Sequence, residues 1–229
     1  MVRGRRCIGA MAAPEFVPYT DRHVPSVPAE QAIQSFHDVL RRRRSVRHFA
    51  KTPVAAATIA GLVRCAHSAP SGANKQPWRF VCVQDPAVKA RIRAAAEAEE
   101  RTFYERRANA EWLQDLAPLG TDPTKEFLTT APWLVVVFQL THTDDGGQVY
   151  YLKESVGIAC GLFLAAAQLA GLATLTHTPS PMAFLGEILG RPAHERPFLL
   201  IPVGHAAADC TVPATASERR PLDEVMVVV

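Results

Sequence analysis

"RRRRSVRHF", residues 41–49, contains five arginines in nine positions. Residues 29–43 carry apolar side chains at helical spacing, so a helix is predicted that ends at about Arg43. These residues alone leave three interpretations open: a nucleic-acid surface, a solvated helix end that complements the helix dipole, or a pocket for one anion. Arginine forks beside a serine hydroxyl suit a phosphate monoester, provided that the chain bends into an extended turn after the helix.

The composition argues against the nucleic-acid interpretation. The chain has 229 residues, of which 48% are apolar and 21% charged, and this balance is typical of a soluble globular protein with a core. Its formal net charge is only +3, whereas nucleic-acid-binding proteins usually carry a stronger or more one-sided basic excess. No nucleic-acid partner is therefore predicted.

The cysteine pattern and the absent motifs narrow the chemistry. Five widely spaced cysteines without a CxxC pair indicate neither a disulfide framework nor a zinc knuckle, and they favour a cytoplasmic location. The sequence has no GxGxxG after a strand, no P-loop, no HExxH and no GxSxG. No metal site is predicted, and redox chemistry would need a cofactor that is held outside a Rossmann-type pocket.

Two segments bear on targeting. Residues 1–28 are rich in proline and polar residues and lack the apolar core of a secretory signal, so a flexible arm is predicted, with Met1 or Met11 as the natural start. The apolar run of 21 residues from Ser155 is long enough to span a membrane. The charged residues at its head and its many alanines and glycines favour a buried central helix, so no membrane partner is predicted.

Residues 29–229 are predicted to form one α+β domain, because helices and strands alternate without a linker or a repeat. The predicted helices are 29–43, 53–68 (with Thr52 as N-cap and Pro53 at the first position), the charged segment 86–117, "TKEFLTTA", 150–171 and 182–189. The predicted strands are "WRFVCVQD", "PWLVVVFQL", "ATLTHT" and "FLLIPVGHA". The C-terminal "EVMVVV" is typical of a strand but has no local partner, and a second subunit is one candidate.

Several blocks of this sequence are similar to one known family. "RRSVRHF" followed by "SAPSGANKQPW" resembles the start of the nitroreductase-like FMN flavoproteins. The blocks "EERTFYERR", "EWLQDL", "KEFLTTAP", "ESVGIACGLFLAAAQLAGL", "LTHTP", "LGRPAHE", "PVGHA" and "PLDEVMVVV" resemble the iodotyrosine deiodinase branch of that family, over roughly residues 37–229. The resemblance implies a nitroreductase-like fold with a central, mostly antiparallel sheet flanked by helices. It also implies an intertwined homodimer with an exchanged C-terminal tail.

The resemblance implies that the basic stretch is part of a cofactor site. The FMN phosphate would be held by Arg43, Arg44, Ser45 and Arg219. Arg47 would lie near flavin N1 and O2, where a fixed cation favours the anionic reduced ring.

Two further segments would reach the flavin, the first partly from the neighbouring subunit. They supply Pro70, Ser71, Gly72, Thr176, His177 and Thr178. Thr178 matches the threonine whose hydroxyl lies by flavin N5 and is the implied catalytic residue, although from the residues alone it is an ordinary strand-end threonine. His177 stands where the animal enzymes have a threonine.

A substrate clamp is the third implied feature. Glu100 and Tyr104 are four residues apart, so a helix places them on one face, and by themselves they resemble an ordinary surface pair. With Lys125, they keep the residue types and spacing with which the deiodinases bind the ammonium and carboxylate of halotyrosine. The N–H of Ala73 would meet the substrate phenolate. The segment of about residues 90–125, which is highly charged and has no evident core face, would act as a lid.

The function implied by the resemblance is FMN-dependent reductive dehalogenation of halotyrosines, with 3-iodo- and 3,5-diiodo-L-tyrosine giving tyrosine and iodide. The electrons would come from NAD(P)H, directly or through a separate flavin reductase. A general nitro- or quinone reductase with the same FMN site is the alternative enzyme. A flavin- or aromatic-amino-acid-binding protein without turnover is the alternative from another class.

Overall fold

The computed structural model describes residues 13–229, so the first part of the predicted arm, with the alternative starts Met1 and Met11, lies outside the described residues. The chain divides between Phe36 and His37 into two compact units. Residues 13–28 of the first unit are exposed and contain neither helix nor strand. The predicted division into an arm and one domain at residue 28 stays a prediction.

The α-helices found in residues 13–229 are α1 (Ala29–Leu40), α2 (Ala56–His67), α3 (Pro86–Thr102), α4 (Ala110–Leu116), α5 (Phe127–Thr130), α6 (Leu152–Leu169), α7 (Ala183–Ile188) and α8 (Leu222–Val225). A π-helical turn, Phe103–Arg107, continues α3. The strands are β1 (Trp78–Val83), β2 (Trp133–Leu140), β3 (Ala173–Thr174) and β4 (Glu195–Gly204).

The strands form one antiparallel sheet in the order β1-β2-β4-β3, which confirms the predicted sheet. β2 is central and packs on both faces: Val135 lies in a cluster with α2 and α6, and Leu134 lies in a second cluster with α3, α5 and α7. Helices on both faces explain why this strand is a continuous apolar run. The third strand is shorter than "ATLTHT", because after Ala173 and Thr174 the chain makes only a single bridge at His177.

The basic stretch leaves α1 and joins the edge of this sheet. The helix ends at Leu40, a little before the predicted end, and in the closing turn the Arg43 N–H donates to the Leu40 carbonyl at 3.0 Å. Ser45 then forms a parallel bridge with Thr174, and the Val46 N–H donates to the Thr174 carbonyl at 3.0 Å. The extended turn that a phosphate site requires is therefore present.

Helix α2 begins at Ala56, so the predicted start at Pro53 with Thr52 as N-cap is wrong. The residue at the N-cap position makes no side-chain hydrogen bond. The reason is tertiary, since Val54 is buried and its carbonyl accepts a hydrogen bond of 2.8 Å from the indole of Trp133. That contact keeps the preceding residues extended and overrides the local helix-start signal.

The charged segment 86–117 differs from its prediction in two ways. Ile92 and Ala96 are fully buried in the cluster with α5 and α7, so the expected lack of a core face is wrong for the first three turns. A break at Ala108–Asn109 also separates the π-helical turn from α4, and the Asn109 side chain caps α4. The predicted break near Pro118–Gly120 is confirmed, because Gly120 adopts a left-handed φ of 58°.

Helix α6 has two apolar faces. By length and composition it is the one helix in the described part of the chain that could cross a membrane. One face, with Val156, Ala159 and Phe163, is fully buried against the sheet, as expected of the predicted central helix. The opposite face exposes Ile158 and Leu162.

The C-terminal tail forms no strand in the single chain. Helix α8 precedes it, and Met226–Val229 are exposed. An extended segment forms a strand only beside another strand edge, and the sequence offered no local partner, so pairing of this segment with a second subunit stays a prediction. Exchange of the tail between two subunits stays a prediction.

Gly204, at the end of β4, supplies a test of the core. A Cβ at this position would lie 2.5 Å from Cδ of the Pro132 ring, which is closer than real Cβ atoms approach. We expect Gly204→Ala to lower the free energy of unfolding by about 1–3 kcal/mol, as overpacking typically does. Chemical denaturation measures this change.

Gly186→Ala is the matched control, because a Cβ there meets nothing within 4 Å in α7. It should raise the free energy of unfolding by about 1 kcal/mol through helix propensity. Equal destabilisation by both variants would contradict the packing argument.

Candidate active site

A cavity of about 280 Å³ lies between the end of α3, the π-helical turn and the segment that follows β3. Its lining joins two groups of side chains to which the sequence analysis gives separate roles. They are Arg47, Thr176, His177 and Thr178 on the predicted flavin side, and Glu100, Tyr104 and Lys125 on the predicted substrate side. The fold therefore brings the predicted clamp next to the predicted ring contacts.

Glu100 and Tyr104 continue the buried stripe of α3. Ile92, Ala96, Glu100 and Tyr104 follow at intervals of four residues, which places them on one helical face as far as the π-helical turn. The first two anchor the helix in the core, so the Glu100 side chain is held at 14% exposure although it is charged. π-Helical turns are frequent at functional sites, and this one carries Tyr104.

The polar groups of the predicted clamp are paired with one another or with neighbouring residues. Glu100 Oε2 lies 3.2 Å from Lys125 Nζ, and the Lys125 side chain is only 7% exposed. The same Nζ donates to the Asp122 carbonyl. The Tyr104 hydroxyl lies 2.8 Å from the Thr121 hydroxyl and 3.0 Å from the Thr121 carbonyl. The ammonium of an amino-acid ligand can take the place of Lys125 beside Glu100, and its carboxylate can take the place of Glu100 beside Lys125. A ligand with only one charge would leave one of these two buried side chains without a partner of opposite charge.

Glu97 fixes the position of Lys125, a link that the sequence analysis missed. Its Oε1 accepts a hydrogen bond of 2.8 Å from the Lys125 backbone N–H and one of 2.7 Å from Arg93. Burial raises the pKa of Glu97, but these two hydrogen bonds and the positive charges of Arg93 and Arg101 together lower the pKa overall. The charged Glu97 therefore ties the loop that carries Lys125 to α3.

His177 faces the clamp, away from its neighbouring threonines. Thr176 and Thr178 are exposed, whereas the His177 side chain is 10% exposed, which is the alternation of an extended segment. Its ring lies edge-on to Phe127, with 5.4 Å between the ring centroids. Its Nε2 lies 3.9 Å from Glu100 Oε1 and has no hydrogen-bond partner among the described residues. The predicted flavin contact of His177 stays a prediction.

The surroundings of His177 keep its ring neutral. Burial, as the largest cause, and the nearby cations Lys125 and Arg47 together lower its pKa from 6.5 to about 3. Glu100 is the carboxylate that faces the ring. Between pH 6.5 and about 3 the unfolded chain therefore binds a proton at this histidine that the folded protein excludes.

We expect this difference to make the protein less stable as the pH falls from 6.5, by up to about 1.4 kcal/mol per pH unit for one proton. In His177→Gln the glutamine side chain cannot bind this proton, so the fall in melting temperature between pH 7.5 and pH 4.5 should be smaller for this variant than for the wild type. Thermal unfolding at several pH values measures the effect. The exposed His23, changed to Gln, is the control and should keep the wild-type pH dependence. An unchanged slope in His177→Gln would contradict the expectation.

The basic stretch and the C-terminal segment form a cationic cluster outside this cavity. Burial lowers the pKa of Arg43, and the positive charges of Arg219 and Arg44 lower it further. Arg44 and Arg219 donate to backbone carbonyls, and no carboxylate pairs with any of the three within residues 13–229. Neighbouring guanidiniums without an acidic partner, followed in the sequence by the hydroxyl-bearing Ser45, are a donor set that suits the phosphate of FMN.

The loop predicted to reach both flavin and substrate is not at the cavity of its own chain. Pro70, Ser71, Gly72 and Ala73 do not line it, and a Cβ at Gly72 would lie 2.7 Å from the Tyr150 carbonyl instead. Ala73 has a left-handed φ of 49° and is exposed, and its N–H makes no hydrogen bond within the described part of the chain. Strained backbone of this kind is typical of functional sites.

Other lining residues were not singled out by the sequence analysis. They are Glu99, Phe103, Trp112, Leu116, Thr121, Phe127, Leu175, Pro179 and Ser180. Phe103 and Trp112 could have been predicted as contact residues, because aromatic side chains in a charged helical segment need an apolar contact. In the structure their ring centroids lie 4.8 Å apart. Nothing in the sequence pattern marks Thr121.

One cluster of metal-ligand residue types lies elsewhere. Asp144, His194 and Glu195 come together, but Arg79 pairs with both carboxylates at 2.9 and 3.0 Å. Arg191 also pairs with Glu195 at 2.6 Å. These ion pairs occupy the carboxylates and connect β1 to the start of β4.

The antiparallel sheet with helices on both faces and the arginine cluster that suits the phosphate of FMN together define a class of flavoprotein. The chain belongs to the nitroreductase family, whose model matches residues 40–205.

Within this class, the chain is similar to iodotyrosine deiodinases. It is 48% identical to the iodotyrosine deiodinase of Haliscomenobacter hydrossis, over 94% of this chain and 98% of that protein. It is 42% identical to human iodotyrosine deiodinase 1, over 94% of this chain and 75% of the human protein. A crystal structure of oxidized iodotyrosine deiodinase bound to FMN and 3-iodo-L-tyrosine superposes with a TM-score of 0.71, at 31% identity, covering 85% of this chain and 97% of that one.

Proposed function

We propose that this protein catalyses the FMN-dependent reductive dehalogenation of halotyrosines, giving tyrosine and halide from 3-iodo- and 3,5-diiodo-L-tyrosine. The observation that carries the proposal is the cavity in which Glu100, Tyr104 and Lys125 meet Arg47 and Thr178. A general nitro- or quinone reductase has no need of a buried carboxylate and lysine for an amino acid. The similarity to iodotyrosine deiodinases supports the same conclusion.

FMN, when bound, supplies the electron pair that, with a proton, converts the carbon–iodine bond into a carbon–hydrogen bond and releases iodide. The three guanidiniums of Arg43, Arg44 and Arg219 would hold its phosphate with Ser45. Arg47 is half-buried, and burial lowers its pKa, so its cation stands in a partly desolvated place where it can neutralise developing negative charge. The electrons are proposed to derive from NAD(P)H, directly or through a reductase.

The remaining side chains bind and orient the substrate. Glu100 would accept the substrate ammonium and Lys125 would donate to its carboxylate, which replaces their mutual ion pair. Tyr104 would hydrogen-bond the same amino-acid end. Thr178 is exposed and its hydroxyl has no partner in the described chain, so it is available as the donor next to the ring.

The active form is proposed to be a homodimer. Ala73, whose free N–H is the proposed contact of the substrate phenolate, does not line the cavity of its own chain, so a second copy would have to supply it. The exposed apolar face of α6 with Ile158 and Leu162, and the exposed tail Met226–Val229, are surfaces that such a copy could cover. Sedimentation of the FMN-loaded protein tests this: a dimer supports the proposal, and a monomer that turns over substrate contradicts it.

The decisive test is anaerobic iodide release from 3,5-diiodotyrosine by the FMN-loaded protein with excess dithionite, because dithionite replaces the physiological electron donor. Catalytic release is the expected result. Turnover of nitroaromatics without iodide release would overturn the proposal and select the general reductase. A yellow protein that no acceptor reoxidises would select a binding protein without turnover.

A further inference from the structure

We propose that His177 is a positioning residue for Glu100: when substrate opens the clamp, the His177 Nε2–H donates to Glu100 Oε1 and holds the carboxylate towards the substrate ammonium. The inference rests on the proposed function, because it assigns a role within the same clamp. It concerns a side chain whose only predicted contact was with the flavin.

In the clamp without substrate, one carboxylate oxygen of Glu100 is left facing His177. Glu100 uses Oε2 for Lys125 at 3.2 Å, while its Oε1 faces His177 Nε2 at 3.9 Å, which is too long for a hydrogen bond. The His177 Nε2 is buried and makes no hydrogen bond within the described residues. A buried polar nitrogen without a partner is unfavourable, and the nearest charged acceptor is the oxygen that the Lys125 contact leaves free.

Substrate binding would change the partners of Glu100. Once Lys125 turns to the substrate carboxylate, Glu100 loses its charged neighbour and must turn one oxygen to the ammonium. Its other oxygen remains in a site where little water reaches and needs a donor. A neutral ring with the proton on Nε2 provides it after a movement of less than about 1 Å, since an N–H···O hydrogen bond is shorter than about 3.2 Å.

His177 is held in place before substrate binds. Its backbone N–H donates to the Leu200 carbonyl at 2.9 Å and its carbonyl accepts from the Leu200 N–H at 3.0 Å. Phe127 packs edge-on against the ring. Because β4 fixes the backbone of His177 and Phe127 of α5 packs against its ring, the ring is a rigid reference against which the Glu100 side chain can be held.

The experiment measures the affinity of the FMN-loaded protein for 3-iodotyrosine and for 2-iodophenol, which lacks the ammonium and the carboxylate, by the change in flavin absorbance. His177→Leu removes the donor, and we expect it to weaken 3-iodotyrosine binding about tenfold while the affinity for 2-iodophenol is unchanged. His177→Gln retains an N–H donor and should restore most of the loss. In a Glu100→Gln background, His177→Leu should have little further effect.

Equal loss of both ligands, or an effect that adds fully to that of Glu100→Gln, would overturn the inference and assign His177 to the ring or to folding. FMN content is measured for each variant, so that cofactor loss is recognised. If the wild-type protein does not bind 3-iodotyrosine, the proposed function fails together with this inference. If it binds and only the His177 pattern is absent, the proposed function stands and the inference alone is wrong.

Discussion

Glu100→Gln is expected to lower kcat/KM for 3-iodotyrosine by about 10- to 150-fold, mainly through a higher KM, because a charge-assisted hydrogen bond contributes about 1.5–3 kcal/mol. The neutral amide removes the charge that pairs with the substrate ammonium. It also leaves Lys125, whose side chain is 7% exposed, without its ion pair. Thermal unfolding of the unliganded variant should therefore shift to lower temperature. Iodide release at several substrate concentrations measures the effect on KM.

Glu105→Gln is the matched control for this change. Glu105 lies on the same segment, is exposed and does not line the cavity. Its substitution should leave KM and the melting temperature close to those of the wild type. An equal rise of KM in both variants would show that the net charge of this segment, and not the Glu100 contact, governs binding.

Arg43→Gln is expected to raise the Kd for FMN by about 10- to 150-fold, because it removes one charge-assisted contact of the proposed phosphate site. In contrast to its loss of FMN affinity, the cofactor-free variant should be at least as stable to unfolding as the cofactor-free wild type. The reason is that the charges of Arg219 and Arg44 oppose the Arg43 charge in the folded chain. Titration of apoprotein with FMN, followed by the fluorescence of free FMN, measures the affinity, and thermal unfolding of the apoprotein measures stability.

Arg42→Gln separates this contact from general electrostatics. Arg42 is the adjacent residue, carries the same charge and is exposed. At moderate ionic strength its removal should change FMN affinity little, since exposed charges are screened. Equal losses in Arg42→Gln and Arg43→Gln would mean that the stretch attracts phosphate only through its overall positive charge.

Much of the fold could be predicted because the relevant signals are local. β2 is an apolar run bounded by proline and polar residues, and α6 has helical length without a breaker, so both were predicted nearly to their ends. The start of α2 was not, because the hydrogen bond from Trp133 to the Val54 carbonyl joins residues that are 79 positions apart. A local capping signal cannot report a contact over such a separation.

The candidate site likewise combines features that the sequence indicated with features that depend on tertiary contacts. The residue types of the clamp could be read from the resemblance, but the spacing of Glu100 and Tyr104 by itself indicated only a surface pair. The buried stripe through Ile92 and Ala96 was overlooked among the charges of α3, so the burial of Glu100 was unexpected. Glu97 and Thr121, which hold Lys125 and Tyr104, carry no pattern that distinguishes them from solvated polar residues.

The α+β class and the termination of α1 before the basic stretch could be predicted from the sequence pattern, because they depend on periodicity and on helix termination. The antiparallel sheet and the chemical types of the cofactor and substrate ligands were implied by the resemblance to the flavoprotein family, because the residues alone left other interpretations open. Only the tertiary structure decided that Glu100 and Lys125 neutralise each other, that His177 turns towards them and away from Thr176 and Thr178, and that Ala73 stands away from the cavity of its own chain. These features depend on distances between segments that packing brings together, and packing is a property of the whole folded chain.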